Sequence, residues 1–137
     1  MKFQCDCGHI IRDQTDYLPY KATFIPDEDE EAVFGAVTRS LEAFIIARES
    51  GKQDDFLRVR FGEGYLQALT THDILSDLLI ELTRSARFIY ECEICGRVFI
   101  QKQSEYGKNV YGTYIPEDNI RGVLQSQHTH SDKDISQ

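Results

Sequence analysis

The sequence predicts an α+β fold, in which a small antiparallel sheet carries two main helices inserted between two cysteine clusters. Two segments repeat apolar residues at helical spacing, and several short apolar runs between turn residues have the length of strands. The four cysteines fall in two tight clusters, one on each side of the helical region. With 137 residues and 41% hydrophobic content, the chain is long enough for one core, so we expect a single domain over residues 1–124.

The first predicted element is a small hairpin at the start of the chain. Short apolar stretches lie on both sides of the bend Cys5-Asp6-Cys7-Gly8, and the second stretch contains Ile10 and Ile11. Residues 17–25 follow a polar loop and are interrupted by Pro19. Because proline cannot donate a hydrogen bond to a neighbouring strand, this segment suits an edge strand or an extended connection.

The first main helix is predicted over residues 28–49. Asp27 and Glu30 have the spacing of a capping box at its start. Gly51 is a residue type that commonly follows the last turn of a helix. The apolar residues that recur at helical spacing are Val33, Phe34, Val37, Leu41, Phe44 and Ile45.

A second main helix is predicted over residues 72–86, with Thr70 or Thr71 as its N-cap. Its apolar stripe consists of Ile74, Leu75, Leu78, Leu79 and Leu82. Between the two helices, residues 57–61 alternate apolar side chains with arginines. This alternation favours a strand, and a short helix remains the alternative.

The remaining elements are strands and a tail. Residues 88–92 and 97–100 flank the second cysteine cluster as another hairpin, and residues 110–115 form a third strand that Pro116 ends. Residues 125–137 are almost entirely polar. They bury too little apolar surface to offset the entropy lost on ordering, so we expect a flexible tail.

The two cysteine clusters, Cys5 to Gly8 and Cys92 to Gly96, have the form of metal-binding turns. A Cys-x-x-Cys-Gly turn presents two sulfurs towards one point, and its backbone N–H groups can hydrogen-bond to them. The first cluster is one residue shorter, and its thiolates can still converge if the turn tightens at Gly8. A thioredoxin-like redox role is disfavoured, because residues 97–100 continue as a strand where that motif opens a helix.

At these clusters the chain resembles the zinc ribbon family, in which two such knuckles at the tips of adjacent hairpins clamp one metal ion. The resemblance covers residues 1–12 and 88–115, separated by a helical insertion over residues 26–87 that is far longer than the usual spacing of roughly 15 to 20 residues. It implies one structural Zn²⁺ and no catalytic activity. The ligands it implies are Cys5, Cys7, Cys92 and Cys95.

Two alternatives remain open at the metal site. An iron centre of the rubredoxin type would use the same four thiolates, and free thiols are also compatible with the sequence. His9 lies two residues beyond Cys7 and could replace a sulfur, but an imidazole outside the ligand shell is the favoured interpretation.

Charge and composition limit the functions that we expect. The 23 acidic and 15 basic residues give a net charge of −8, whereas nucleic-acid binders usually carry the opposite balance. No apolar run approaches the roughly 20 residues of a membrane span, and the first residues lack the apolar stretch of a secretory signal, so we expect a cytoplasmic protein. No phosphate-binding loop or catalytic motif is present, so enzymatic activity is not predicted.

We therefore interpret the chain as a small acidic zinc-binding protein that acts by binding another protein, whose identity and stoichiometry the sequence leaves open. Bacterial immunity proteins of the antitoxin type are similar in size and acidity. The alternative is a zinc ribbon associated with nucleic acid or transcription. Its support is a set of basic residues: Arg58, Arg60, Arg84, Arg87, Arg97, Lys102 and Lys108.

Overall fold

The computed structural model describes residues 1–65, 68–102 and 109–127, and it divides into two compact units. The first unit consists of Met1–Phe24 together with the chain from Arg87 onward, and the second is Ile25–Ala86. Helices and antiparallel strands are both present, which confirms the predicted α+β class. Lys108 and positions 128–137 of the predicted tail lie outside the described residues.

The first unit contains two antiparallel sheets. Their strands are β1 (Lys2–Gln4), β2 (Ile10–Arg12), β3 (Lys21–Phe24), β4 (Arg87–Glu91), β5 (Val98–Lys102) and β6 (Val110–Tyr114). Strands β1 and β2 form the predicted N-terminal hairpin, and the other four form a sheet in the order β3-β4-β5-β6. The segment predicted as an edge strand therefore does lie at an edge, over the shorter range of β3.

The core of the first unit joins aromatic rings to the cysteines. Its buried residues are Cys5, Ile11, Tyr90, Cys92 and Phe99. Phe3 on β1 contacts the rings of Tyr90 and Phe99 edge-on, with centroid distances of 5.5 Å and 5.0 Å. Edge-to-face contacts of this kind stabilise a core beyond the area that they bury. The two halves of the cysteine site thus share one hydrophobic core.

A hydrogen bond from the buried Tyr90 hydroxyl links the middle of the sheet to Asp13 in the loop after β2. The hydroxyl of the fully buried Tyr90 donates to the carboxylate of Asp13, and Nζ of Lys21 donates to the same carboxylate at 2.7 Å. Burial acts to raise the pKa of Asp13, but the hydrogen bonds from Lys21 and Tyr90 outweigh it and lower that pKa. Burial and the hydrogen bond to Asp13 raise the pKa of Tyr90.

The second unit consists of α1 (Asp27–Glu49), α2 (Gln53–Phe61) and α3 (Thr71–Ser85). Both main helices are confirmed, whereas the strand favoured for residues 57–61 is wrong. Leu57 is buried in the helical core, while Val59 is 89% exposed. The alternation that suggested a strand is therefore a helical pattern, with the apolar residues 57 and 61 four positions apart on one side.

Of the two predicted helix N-termini, the structure confirms the cap of α3 but not that of α1. Thr70 caps α3: its Oγ1 accepts from the N–H of Asp73 at 3.2 Å, and the Asp73 carboxylate accepts from the N–H of Thr70 at 3.0 Å. The predicted capping box of Asp27 and Glu30 is wrong, because Pro26 takes the N-cap position and Asp27 is already helical.

None of the helices in the described part of the chain combines the length and apolarity that a membrane span requires.

Candidate metal centre

The first cysteine cluster forms a tight turn between β1 and β2. The N–H of Cys5 donates to the carbonyl of His9 at 2.8 Å, and the N–H of Gly8 donates to the carbonyl of Cys5 at 2.9 Å. Gly8 has a φ of +93°, a conformation that residues with a side chain rarely adopt. The turn thus tightens at Gly8, which allows the shorter Cys-x-Cys spacing to present both sulfurs.

The second cluster forms the equivalent turn between β4 and β5. The N–H of Cys92 donates to the carbonyl of Arg97, and the N–H of Gly96 donates to the carbonyl of Cys92, both at 2.8 Å. Gly96 has a φ of +76°, and a Cβ atom there would lie 3.0 Å from the carbonyl oxygen of Ile120. Both conformation and space therefore require glycine at this position.

The four sulfurs of the two turns converge on one point. Sγ of Cys5 lies 3.5 Å from Sγ of Cys95, and Sγ of Cys7 lies 3.5 Å from Sγ of Cys92. All four sulfur atoms lie within 4.8 Å of one another. A tetrahedral ion with bonds to sulfur of about 2.3 Å would place its ligands about 3.8 Å apart, so the cluster could hold one metal ion.

Burial and hydrogen bonding act differently on the four thiols. Cys5 and Cys92 are buried, whereas Cys7 is exposed. Burial acts to raise the pKa of Cys5, but hydrogen bonds from the backbone N–H of Cys7 and from the neighbouring thiols lower it to about 7. Burial raises the pKa of Cys92 and of Cys95. A bound cation would favour the thiolate at every position, because coordinated thiols lose their protons.

Charged side chains connect the two turns around the sulfurs. Nη1 of Arg97 lies 3.7 Å from the Asp6 carboxylate, and a hydrogen bond to Cys5 raises the pKa of Arg97. Nε2 of His9 lies 3.7 Å from the Glu93 carboxylate. Within the described residues, the group of converging donors contains only the four cysteines, so His9 stands outside it.

A buried carboxylate that the sequence reasoning missed secures the second turn. Glu91 is 2% exposed, and its carboxylate accepts from the N–H of Gly122 at 2.6 Å and from the N–H of Leu124 at 3.4 Å. These bonds hold residues 116–124 near Gly96, where Ile120 and Pro116 approach the turn. The only signal in the sequence is an acidic residue that follows the apolar run Phe88 to Tyr90 and directly precedes Cys92.

Comparison with known proteins gives one family match. A family model described as "Domain of unknown function (DUF8617)" matches residues 1–118, a range that includes both cysteine turns. No curated protein and no solved structure matches the chain. Because no zinc ribbon family is identified, the resemblance to ribbons is limited to the two turns and their converging sulfurs.

Proposed function

We propose a function for this chain, which belongs to the DUF8617 family of domains of unknown function: it is a zinc protein whose metal centre is structural and which acts by binding another protein. The observation that carries the metal proposal is the convergence of four sulfur atoms from two separate turns. The interaction role is supported by the net charge and by the exposed apolar residues.

The donor set favours zinc and a structural role. Four thiolates in a closed tetrahedral arrangement are typical of structural zinc sites, and they leave no coordination position for a substrate or a reactive water. When bound, the ion supplies a cross-link between the turn of Cys5 and Cys7 and the turn of Cys92 and Cys95. The backbone N–H groups that point at the sulfurs orient these ligands.

Elemental analysis of the purified protein tests the metal proposal. We expect about one zinc per chain, and we expect Cys92→Ser to lose most of it, because a structural site needs all four ligands. The matched control is Ile94→Ser, since Ile94 is 55% exposed within the same turn and is not a ligand. A protein that is purified without zinc, or an equal zinc content in both variants, would contradict the proposal.

The interaction role follows from what the surface offers. The net charge of −8 disfavours nucleic acid, and two of the arginines that could contact it already have acidic neighbours. Arg58 pairs with Asp55 and Glu63, and Arg97 lies beside Asp6. Several apolar side chains are nevertheless more than half exposed, including Val59, Ile115 and Ile120. Exposed apolar groups among acidic ones suit a protein partner.

Affinity capture of the tagged, zinc-loaded protein from its own cells tests this role. We expect a stoichiometric protein partner that survives nuclease treatment. Capture of nucleic acid, or of nothing above the level of a tag-only control, would contradict it.

A further inference from the structure

One face of α1 presents apolar side chains to solvent. Phe34 is 49% exposed and Ile45 is 51% exposed. Ile45 is eleven positions after Phe34, so their side chains point within about 20° of each other around the helix axis and lie about 16 Å apart along it. Two such side chains on one line have the spacing of anchor positions for another helix.

This face is not the side of α1 that packs into the helical core. Val37 and Phe44 are the buried residues of α1, and they are 5% and 1% exposed. Their mean direction lies about 80° around the axis from that of Phe34 and Ile45. Phe34 and Ile45 therefore lie at the edge of the packed side, next to the half-buried Leu41, and about half of each side chain is exposed to solvent.

The charges on this face have a single sign. Four exposed carboxylates share it with Phe34 and Ile45: Asp27, Glu31, Glu42 and Glu49. No ion pair within the described ranges involves any of the four. Arg48 lies beside this face, about 60° from Ile45 around the axis, and donates to Oγ1 of Thr71 on α3, whereas Arg39 lies about 100° from the middle of the face.

We propose that this face of α1, which we call the acidic face and define by Asp27, Glu31, Phe34, Glu42, Ile45 and Glu49, binds a basic amphipathic helix of a partner protein. The inference rests on the proposed interaction role and specifies its surface. Apolar side chains of the partner helix pack on Phe34 and Ile45, and flanking lysines or arginines reach the carboxylates.

Charge complementarity selects this occupant over the others. A second copy of the chain would bring the same carboxylates together, which is unfavourable. Nucleic acid and anionic lipid present phosphates, which the carboxylates repel. A basic helix offers the opposite charge together with an apolar stripe, so it satisfies both features of the acidic face.

A binding assay with a model helix tests the proposal. The probe is a fluorescent amphipathic peptide of about 18 residues, five helical turns, made of leucine and lysine. We measure its fluorescence anisotropy with the full-length, zinc-loaded protein and expect a Kd of about 10 μM. The double variant Phe34→Ser/Ile45→Ser should weaken binding by about tenfold or more. Ile46→Ser should have little effect, because Ile46 is 57% exposed but points about 100° away from Ile45.

A second pair of variants separates charge from packing. Glu42→Gln/Glu49→Gln should weaken binding severalfold and reduce its salt dependence, because fewer charges are screened. The control is Asp29→Asn, an exposed carboxylate on the opposite side of α1. Circular dichroism checks that all variants stay folded.

Several outcomes would overturn the proposal. The first is that wild type and the Phe34→Ser/Ile45→Ser variant bind the peptide with the same Kd. The second is that a peptide with serine in place of leucine binds wild type as tightly as the leucine–lysine peptide does. The third is that duplex DNA or anionic vesicles bind more tightly than the peptide. The interaction role has its own test: if wild type and the Phe34→Ser/Ile45→Ser variant capture the same cellular partner, the role stands and this surface is wrong. If neither captures a partner, the role itself fails.

Discussion

Sγ of Cys5 lies 3.5 Å from Sγ of Cys95, although the two residues are 90 positions apart in the sequence. The contact joins the two chain segments that build the first unit. Bringing the ends of so long a loop together costs about 4 kcal/mol in chain entropy. A metal ion that binds both turns only in the folded state would offset this cost with its binding free energy.

Removal of the metal should therefore destabilise the protein. We expect a strong chelator to lower the Tm by about 10 °C, which corresponds to a loss of a few kcal/mol for a chain of this size. Calorimetry before and after chelation measures the change, and elemental analysis of the same samples confirms that the metal has left. Restoring zinc should restore the Tm. An unchanged Tm in fully metal-free protein would show that the centre does not stabilise the fold.

Alanine at the two turn glycines should have unequal effects. Both glycines have a positive φ, which costs alanine about 1 kcal/mol at either position. A Cβ atom at Gly8 meets nothing within 4 Å, whereas one at Gly96 lies 3.0 Å from the Ile120 carbonyl oxygen. We expect Gly96→Ala to cost about 2 to 3 kcal/mol in free energy of unfolding and Gly8→Ala about 1. Urea denaturation measures both, and equal costs would argue against the close approach of Ile120.

Truncation of the buried carboxylate should loosen the segment beside the second turn. Glu91→Ala leaves the N–H groups of Gly122 and Leu124 without their acceptor, so we expect a loss of about 3 kcal/mol in the free energy of unfolding. Hydrogen exchange at the amide of Gly122 should accelerate. The control is Glu93→Ala, which removes a half-exposed carboxylate two residues away. If the two variants exchange alike at Gly122, the role assigned to Glu91 is wrong.

The stability of the first unit should depend on pH through Asp13. Its pKa is lower in the folded protein than the unfolded value of about 3.9, because Lys21 and Tyr90 donate to the ionised form. The stability that this shift provides is present above the unfolded pKa and is lost as the pH falls through the folded pKa. We therefore expect the free energy of unfolding to fall less steeply for Asp13→Asn than for wild type as the pH drops below about 5.

Urea denaturation as a function of pH measures this difference. Asp16→Asn is the control, because Asp16 is an exposed acid in the same loop. Both variants keep the four cysteines, so acid release of metal affects them equally. If the free energy of unfolding depends on pH in the same way for Asp13→Asn and Asp16→Asn, the role assigned to the hydrogen bond between Tyr90 and Asp13 is wrong.

The features that the sequence predicted correctly depend on local chemistry. The stripe of α3 and its Thr70 cap lie within a few residues of each other, and so do the cysteines and glycine of each turn. The expected convergence of the two turns is also found, since their four sulfur atoms lie within 4.8 Å of one another. Helix α2 was predicted as a strand because residues four positions apart lie on the same side of both a strand and a helix. Over only five residues the sequence pattern does not separate the two, and packing decides between them.

The features that the sequence did not predict depend on contacts between distant segments. The donors to Glu91 are backbone N–H groups about thirty positions away, and backbone groups carry no sequence signal. The contact of Tyr90 with Asp13 joins residues 77 positions apart. The acidic face of α1 is visible in the sequence only once the buried side of the helix is known, because Phe34 and Ile45 otherwise read as core residues.

The most direct test of the central claim is X-ray absorption at the zinc K-edge of the protein as purified. Coordination by Cys5, Cys7, Cys92 and Cys95 predicts a single shell of four sulfur atoms at about 2.3 Å from zinc, with no nitrogen or oxygen ligand. A shell that contains an imidazole nitrogen or water oxygen, or a protein that carries iron in place of zinc, would contradict the closed four-cysteine zinc centre.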